Sequence, residues 1–207
     1  INNSTMGIGG GVWFRNSSNP NLTNIKISSN TAKSGGGICF GTYSTGHLKN
    51  VLISGNHAVG NQSEDGNGGG IWSTVGASPV IENVTISDND ASGQGGGIYS
   101  DENSSPILIN SILWNDSPSE IINDEESSLP IVTYSDIEEG FGGTGNIDAD
   151  PMFVDQGNGD YNLQQISPCI DAGDPSTDLD LDGTIADMGV YPFGHIVGCT
   201  DANACNV

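Results

Sequence analysis

A phrase of three glycines followed by an aliphatic residue occurs four times in this chain, at residues 9–12, 35–38, 68–71 and 95–98, with offsets of 26, 33 and 27. A second phrase keeps step with it: Asn24-Ile25-Lys26-Ile27, Asn50-Val51-Leu52-Ile53 and Asn83-Val84-Thr85-Ile86. Each is followed by Asn30, Asn56 or Asn89, with Ala32, Ala58 or Ala91 two residues on. A weaker fourth copy, Ser105-Pro106-Ile107-Leu108-Ile109-Asn110, matches Ser78-Pro79-Val80-Ile81-Glu82-Asn83. The extra residues of the longest unit fall in 57–67, a polar, Gly-rich loop. Fixed-period self-similarity is the signature of a repeat architecture, and it takes precedence over local propensity.

Each unit holds two or three short β-branched runs of four to six residues, separated by Gly and Asn turns. A strand pair this short cannot bury its apolar face alone, but stacked identical units can. The expectation is an all-β parallel solenoid with coils of about 26 residues, equivalent residues lying one above another at about 4.8 Å. Ile27, Ile53, Ile86 and Leu113 then form an inward column. Asn24, Asn50, Asn83 and Asn110 form a ladder at a bend, each amide bonding the next. The glycines supply the positive φ or close approach of a sharp corner. Lys49 and Glu82 become neighbours in adjacent coils, an exposed pair worth little energy.

Charge narrows the function classes. Four Lys and Arg stand against 26 Asp and Glu, a formal net charge of −22 with a pI near 4.1, and such a surface repels phosphate backbones. Nucleic acid is therefore an unsuitable partner. No apolar run reaches the 18 or so residues of a membrane helix, so no membrane span is expected. All four bases lie in residues 1–49 and all 26 acids in residues 50–207. In a rod this makes a long-axis dipole, and weak head-to-tail self-association at low salt is expected. The chain begins Ile1-Asn2-Asn3 and ends Asn206-Val207, and it reads as a piece of a longer secreted protein.

The Gly-Gly-Gly-Ile phrases alternating with Asn-Val-x-Ile-x-x-Asn resemble the right-handed parallel β-helix repeats of the pectate-lyase-like superfamily. The stretches Asn146-Ile147-Asp148-Ala149-Asp150-Pro151-Met152-Phe153, Ser167-Pro168-Cys169-Ile170-Asp171-Ala172-Gly173-Asp174 and Asp187-Met188-Gly189-Val190-Tyr191 are similar to the C-terminal ends of many secreted bacterial β-helix proteins. The resemblance implies a secreted or cell-surface location and a division into coils (1–145), a closing segment (146–197) and a Cys-containing tail (198–207). The tail is similar to the start of a module found in some bacterial cell-surface proteins. Such repeats serve lyases, hydrolases, adhesins and surface proteins alike, so the resemblance fixes architecture rather than activity.

Three sets of residues carry candidate chemistry. Asp178, Asp180 and Asp182 followed by Gly183 match the front of a calcium loop, in which oxygen ligands suit a hard cation. The Thr184 carbonyl fills the next ligand position, and Asp187 stands in for the missing bidentate Glu, since the twelfth position is Gly189. The expected ion is structural; the alternative is a solvated acidic turn. Trp13, Cys39, Trp72 and Tyr99 follow the four aliphatic residues, so alternation puts them on the outer face if the aliphatic column points inward. An exposed aromatic stripe of Trp13, Trp72 and Tyr99 would stack on sugar rings of a polysaccharide or surface glycan; burial under neighbouring loops is the alternative. Cys199 and Cys205 are close enough to close a small disulfide loop, whereas Cys39 and Cys169 are expected to stay free if one lies in the stripe and the other in the last coil.

Catalysis finds less support. A pectate-type lyase places a Lys or Arg base beside carboxylates that hold calcium, but Arg15, Lys26, Lys33 and Lys49 lie in coils without acids. The Gly-His-Gly and Arg-Ile-Lys phrases of β-helix hydrolases are missing, and His47, His57 and His195 are scattered. The leading expectation is a non-catalytic extracellular stalk or adhesive surface. The rival is a polysaccharide-binding or polysaccharide-degrading domain.

Overall fold

The computed structural model describes residues 2–60, 65–124 and 126–194 and shows a parallel β-solenoid. The first coil contains β1 (Val12–Phe14), β2 (Asn21–Ser28) and β3 (Thr31–Ala32). The second contains β4 (Ile38–Phe40), β5 (His47–Ser54) and β6 (His57–Ala58); the third, β7 (Ile71–Ser73), β8 (Val80–Ser87) and β9 (Asp90–Ala91). In the fourth, β10 (Ile98–Ser100) is followed by β11 (Ile107–Ile109) and β12 (Ile112–Trp114), and the fifth holds β13 (Ile121–Asn123), β14 (Ile131–Thr133) and β15 (Asp136–Ile137). A hairpin, β16 (Phe153–Asp155) and β17 (Asp160–Leu163), follows the coils.

The strands stack into three faces. The first runs β1-β4-β7-β10-β13; the second runs β2-β5-β8, which β11 and β12 together continue, followed by β14 and β15; the third is β3-β6-β9. All of these pairings are parallel and in register, so Ile27, Ile53, Ile86 and Leu113 do form one inward column, continued by Ile137. Strand lengths differ from expectation: three residues on the first face, eight on the second, two on the third. The eight-residue strand survives as one because it bends. Asn24, Asn50 and Asn83 take φ of 55°, 55° and 52°, and the kink resets the alternation so that Leu48, Val51 and Ile53 are all buried. In the fourth coil the same bend at Asn110 (φ 50°) separates β11 from β12.

The expected ladder at this bend is only partly formed. Asn50 Nδ2 donates to Asn24 Oδ1 at 3.2 Å, but Asn110 turns away, accepting from Asp174 N and donating to Thr177 Oγ1. The buried ladder lies at the next corner, formed by Asn30, Asn56 and Asn89. Both the main-chain N and Nδ2 of Asn30 donate to Asn56 Oδ1 (3.0 and 2.8 Å), and both of Asn56 donate to Asn89 Oδ1 (3.0 and 2.9 Å). Asn89 repeats this toward Asp116 Oδ1 (2.7 and 2.8 Å), and Asn3 N starts the row on Asn30 Oδ1. Each inner Nδ2 also donates backward, from Asn56 to the Ile27 carbonyl and from Asn89 to that of Ile53. The triple glycines pack beside this ladder. Gly35, the first of its set, has φ of 63°, while a Cβ on Gly37 would come 2.5 Å from the Gly70 carbonyl and 3.1 Å from Asn56 Nδ2. Glycine is required there by close approach.

The segment after the coils does more than close the end. Residues 139–149 turn back under the fifth coil, with Tyr134 N donating to the Thr144 carbonyl and Asn146 Nδ2 to that of Val132. The following stretch then runs along the outside of the second face. Leu52 and Ile112, which point outward, are buried beneath Phe153, Tyr161, Leu163, Cys169, Met188 and Val190 as a second apolar core. Asp88 anchors it, accepting from Tyr161 OH (2.6 Å), Gln156 Nε2 (2.9 Å) and Asn115 Nδ2 (2.5 Å).

An unsatisfied buried polar group costs about 1–3 kcal/mol. Asn56→Ala strands Asn30 N and Asn30 Nδ2, so it is expected to cost about 3 kcal/mol in urea unfolding. Asn24→Gly, which suits the positive φ, is expected to change stability by less than about 1 kcal/mol.

Candidate functional site

The aromatic edge is built by the first face. Val12, Ile38, Ile71 and Ile98 stack in register with their side chains inward, so Trp13, Cys39, Trp72 and Tyr99 stack on the outer side, followed by Ile122. Being outward does not make them equally accessible. Trp13, at the open end of the column, is 45% exposed; Trp72 is half-buried; Cys39 and Tyr99 are 1% and 3% exposed. Cys39 lies between the larger Trp13 and Trp72, and Tyr99 between Trp72 and Ile122, so neighbours in the column help to cover both. Trp72 Nε1 donates to Asp101 Oδ2 at 3.2 Å, which fixes the ring at the face's end. Burial, with the Asp101 charge as a lesser cause, pushes the Cys39 thiol up to about 12, so it stays protonated. The Arg15 guanidinium lies 4.8 Å from the Trp13 ring centroid, a cation–π contact that takes one side of that ring.

The turn beyond this face adds an aromatic that sequence reasoning missed. Tyr43 is 66% exposed, at φ 56°, and lines a shallow groove with Val75, Gly76, Glu102 and Asn103. A Cβ on Gly76 would come 2.7 Å from the Tyr43 ring, so the glycine is the floor on which the ring lies. The signal was available in the register: Tyr43 follows Cys39 by the same four residues that separate Gly76 from Trp72.

The acidic loop is occupied with its own main chain. Asp180 Oδ2 accepts from Asp187 N (2.8 Å), and Asp182 Oδ1 accepts from Thr184 N and Oγ1 (3.1 and 2.8 Å). Asp187, 2% exposed, uses one oxygen for Asp171 N (2.7 Å) and the other for Phe193 N (2.5 Å). The Thr184 carbonyl accepts from Asp180 N (3.0 Å), and Asp178 is exposed. Among the described residues, no three His, Cys, Asp or Glu side chains gather in a way that fits a metal ion. In this arrangement Asp180, Asp182, Thr184 and Asp187 are joined in a hydrogen-bonded acidic turn, with Asp178 exposed beside it.

The remaining chemistry is paired off or enclosed. Lys33 meets Asp65 (2.9 Å) and Lys49 meets Glu82 (2.7 Å), the latter shared with His47 Nε2 (2.8 Å). Two of the four bases are thus neutralised inside the chain, which leaves Arg15 and Lys26 as its basic end. Cys169 Sγ donates to Asp136 Oδ2 at 3.1 Å in the outer core, where burial raises the Asp136 carboxyl to about 6 against the pull of its hydrogen bonds. Cys39 and Cys169 are both free and buried. His195, Cys199 and Cys205 lie outside the described residues.

The repeat, the three parallel faces and the inward aliphatic columns define a β-helix protein. Residues 10–147 match the family described as the right handed beta helix region, and the chain belongs to that family. Comparison with curated proteins and with solved structures returned no match. No helix among the described residues is long and apolar enough to cross a membrane.

Proposed function

We propose that this β-helix is a non-catalytic module of an extracellular or cell-surface protein, acting as a stiff acidic spacer or adhesive surface. One observation carries the reading: strand register is unbroken from β2 through β5 and β8 to β14 and β15, with a continuous side-chain ladder inside. The first four coils are held to one another by main-chain bonds and ladder amides together, so bending the rod there means breaking several coupled bonds. The strongly acidic surface keeps such a module soluble and attracts cations. At low salt the end carrying Arg15 and Lys26 would attract the acidic end of another copy weakly.

A second reading is favoured by one feature. Trp13 and Tyr43 are exposed aromatics near one edge, beside half-buried Trp72, and aromatic faces of this kind stack on sugar rings. Buried Tyr99 would support the platform from beneath rather than touch a glycan. Incubation with a panel of neutral and acidic polysaccharides separates the readings. The spacer reading expects no turnover, and unsaturated or shortened products overturn it. Retention without turnover, lost in Trp13→Ala, would assign the edge to glycan binding.

Structural calcium rests on the spacing of Asp178, Asp180 and Asp182 alone, while the observed hydrogen bonds favour an acidic turn. Melting temperature in calcium, in magnesium and after chelation is expected to be equal for the turn. A rise that only calcium gives and a chelator reverses would establish the ion, and Asp180→Asn should abolish it.

A further inference from the structure

The ladder has a direction, and its end is unusual. Every rung donates toward the C-terminal coils, so the row needs a final group that accepts. Asp116 fills that position, where a fourth Asn would follow the repeat; its Oδ1 takes both donors of Asn89. A second acid stands behind it. Asp116 N donates to Glu120 Oε1 at 2.9 Å, which places the Glu120 carboxyl against Asp116. Asp116 is 7% exposed and Glu120 6%. Asp116 Oδ2 and Glu120 Oε2 are buried with no hydrogen-bond partner. Gly97 makes room for the pair: a Cβ there would come 2.8 Å from Asp116 Oδ2.

Two ionised carboxylates cannot hydrogen-bond to each other, because neither has a donor. Two buried like charges in contact are also strongly unfavourable. We propose that Asp116 and Glu120 hold one shared proton at neutral pH, and that this proton locks the C-terminal end of the asparagine ladder. The ladder decides where the charge sits. Asp116 receives two N–H bonds that favour its ionised form, so it is the carboxylate, and Glu120 is the acid that donates to it. Burial is the largest cause raising both groups, and for Glu120 the Asp116 charge comes next. The titratable groups around the pair act in the same direction. Asp88 on the outer corner adds negative charge to Asp116, the Glu138 carboxyl of the last coil likewise favours a protonated Glu120, and the Tyr161 phenol of the hairpin is neutral.

The consequence is an inverted pH dependence. In the unfolded chain both acids ionise near pH 4. The folded chain keeps a proton that the unfolded chain has lost, so the stabilisation is complete below about pH 4 and disappears as pH rises through the pair's higher folded value. Within that window the unfolding equilibrium constant rises by about tenfold per pH unit for the one retained proton.

The test is urea unfolding of the full chain and of Glu120→Gln from about pH 5 to about pH 9 at constant salt. Gln mimics the protonated acid: its Nε2 can donate to Asp116 Oδ2 while its Oε1 still accepts from Asp116 N. The variant is expected to be flatter with pH than the wild type and more stable at the alkaline end; parallel profiles overturn the proposal. Infrared spectroscopy of the wild type gives a reading that does not depend on the variant folding. A protonated carboxylic-acid band persisting at pH 8 is expected, and its absence overturns the proposal. Calcium that restores alkaline stability to the wild type but not to the variant would replace the proton with a bridging cation, and would overturn it too.

Discussion

An asparagine buried at a corner of a β-solenoid has four hydrogen-bonding positions to satisfy and no water to satisfy them. At 30, 56 and 89 this is solved by making each asparagine the partner of the next. The Oδ1 atoms of Asn56 and Asn89 each take two donors from the coil before, and their amides give one hydrogen to the coil after and one to an isoleucine carbonyl in the coil before. The bonds exist only while adjacent coils stay in register, since a shift of one residue would remove the acceptors of a whole rung. The ladder therefore fixes the axial register on which the isoleucine columns depend. It also confines the neighbouring corner to glycine, because Gly37 and Gly70 lie against Asn56 and Asn89 with no space for a Cβ.

The outer core depends on the same register. Leu52 and Ile112 present a flat apolar strip only because their strands stack, with Thr85 between them accepting from Val190 N through Oγ1. The returning segment covers that strip and leaves Lys26, the first position of the same row, outside it. The C-terminal segment thus staples three coils together from outside while the ladder joins them from within. This is also where the titratable chemistry collects. Asp136, Asp116 and Glu120 all sit between the solenoid and the chain that returns over it or ends it, and there carboxyls are enclosed without bases to neutralise them.

The fold was legible because solenoid repetition writes itself into the sequence: the glycine triplets, Ile27, Ile53 and Ile86, and the Lys49–Glu82 pairing follow from period alone. The ladder was misplaced to Asn24, Asn50, Asn83 and Asn110 because both asparagine series share one period, and period does not distinguish a positive-φ bend from a buried corner. Alanine two residues after Asn30, Asn56 and Asn89 was the clue, since a small residue there marks the tight third face. The outer core was not anticipated, although Val51-Leu52-Ile53 and Ile112-Leu113 are apolar on both faces, the pattern of a strand covered on both sides. The exposure of the aromatic column was not legible. Alternation gives direction, while accessibility depends on what surrounds each side chain, which covers Tyr99 and leaves Trp13 exposed. The hydrogen bonding of the loop at 178–187 was not legible either, because carboxylate spacing does not reveal that main-chain N–H groups donate to Asp180 and Asp187.

The central claim is that the Asn30–Asn56–Asn89 row is the mechanical spine of the solenoid. Native-state hydrogen exchange followed by NMR tests it residue by residue. The main-chain amides of Asn30, Asn56 and Asn89, together with their side-chain Nδ2 hydrogens, are predicted to exchange among the slowest in the protein, opening only with global unfolding. Exchange of these amides as fast as that of the solvent-facing turns would contradict the account.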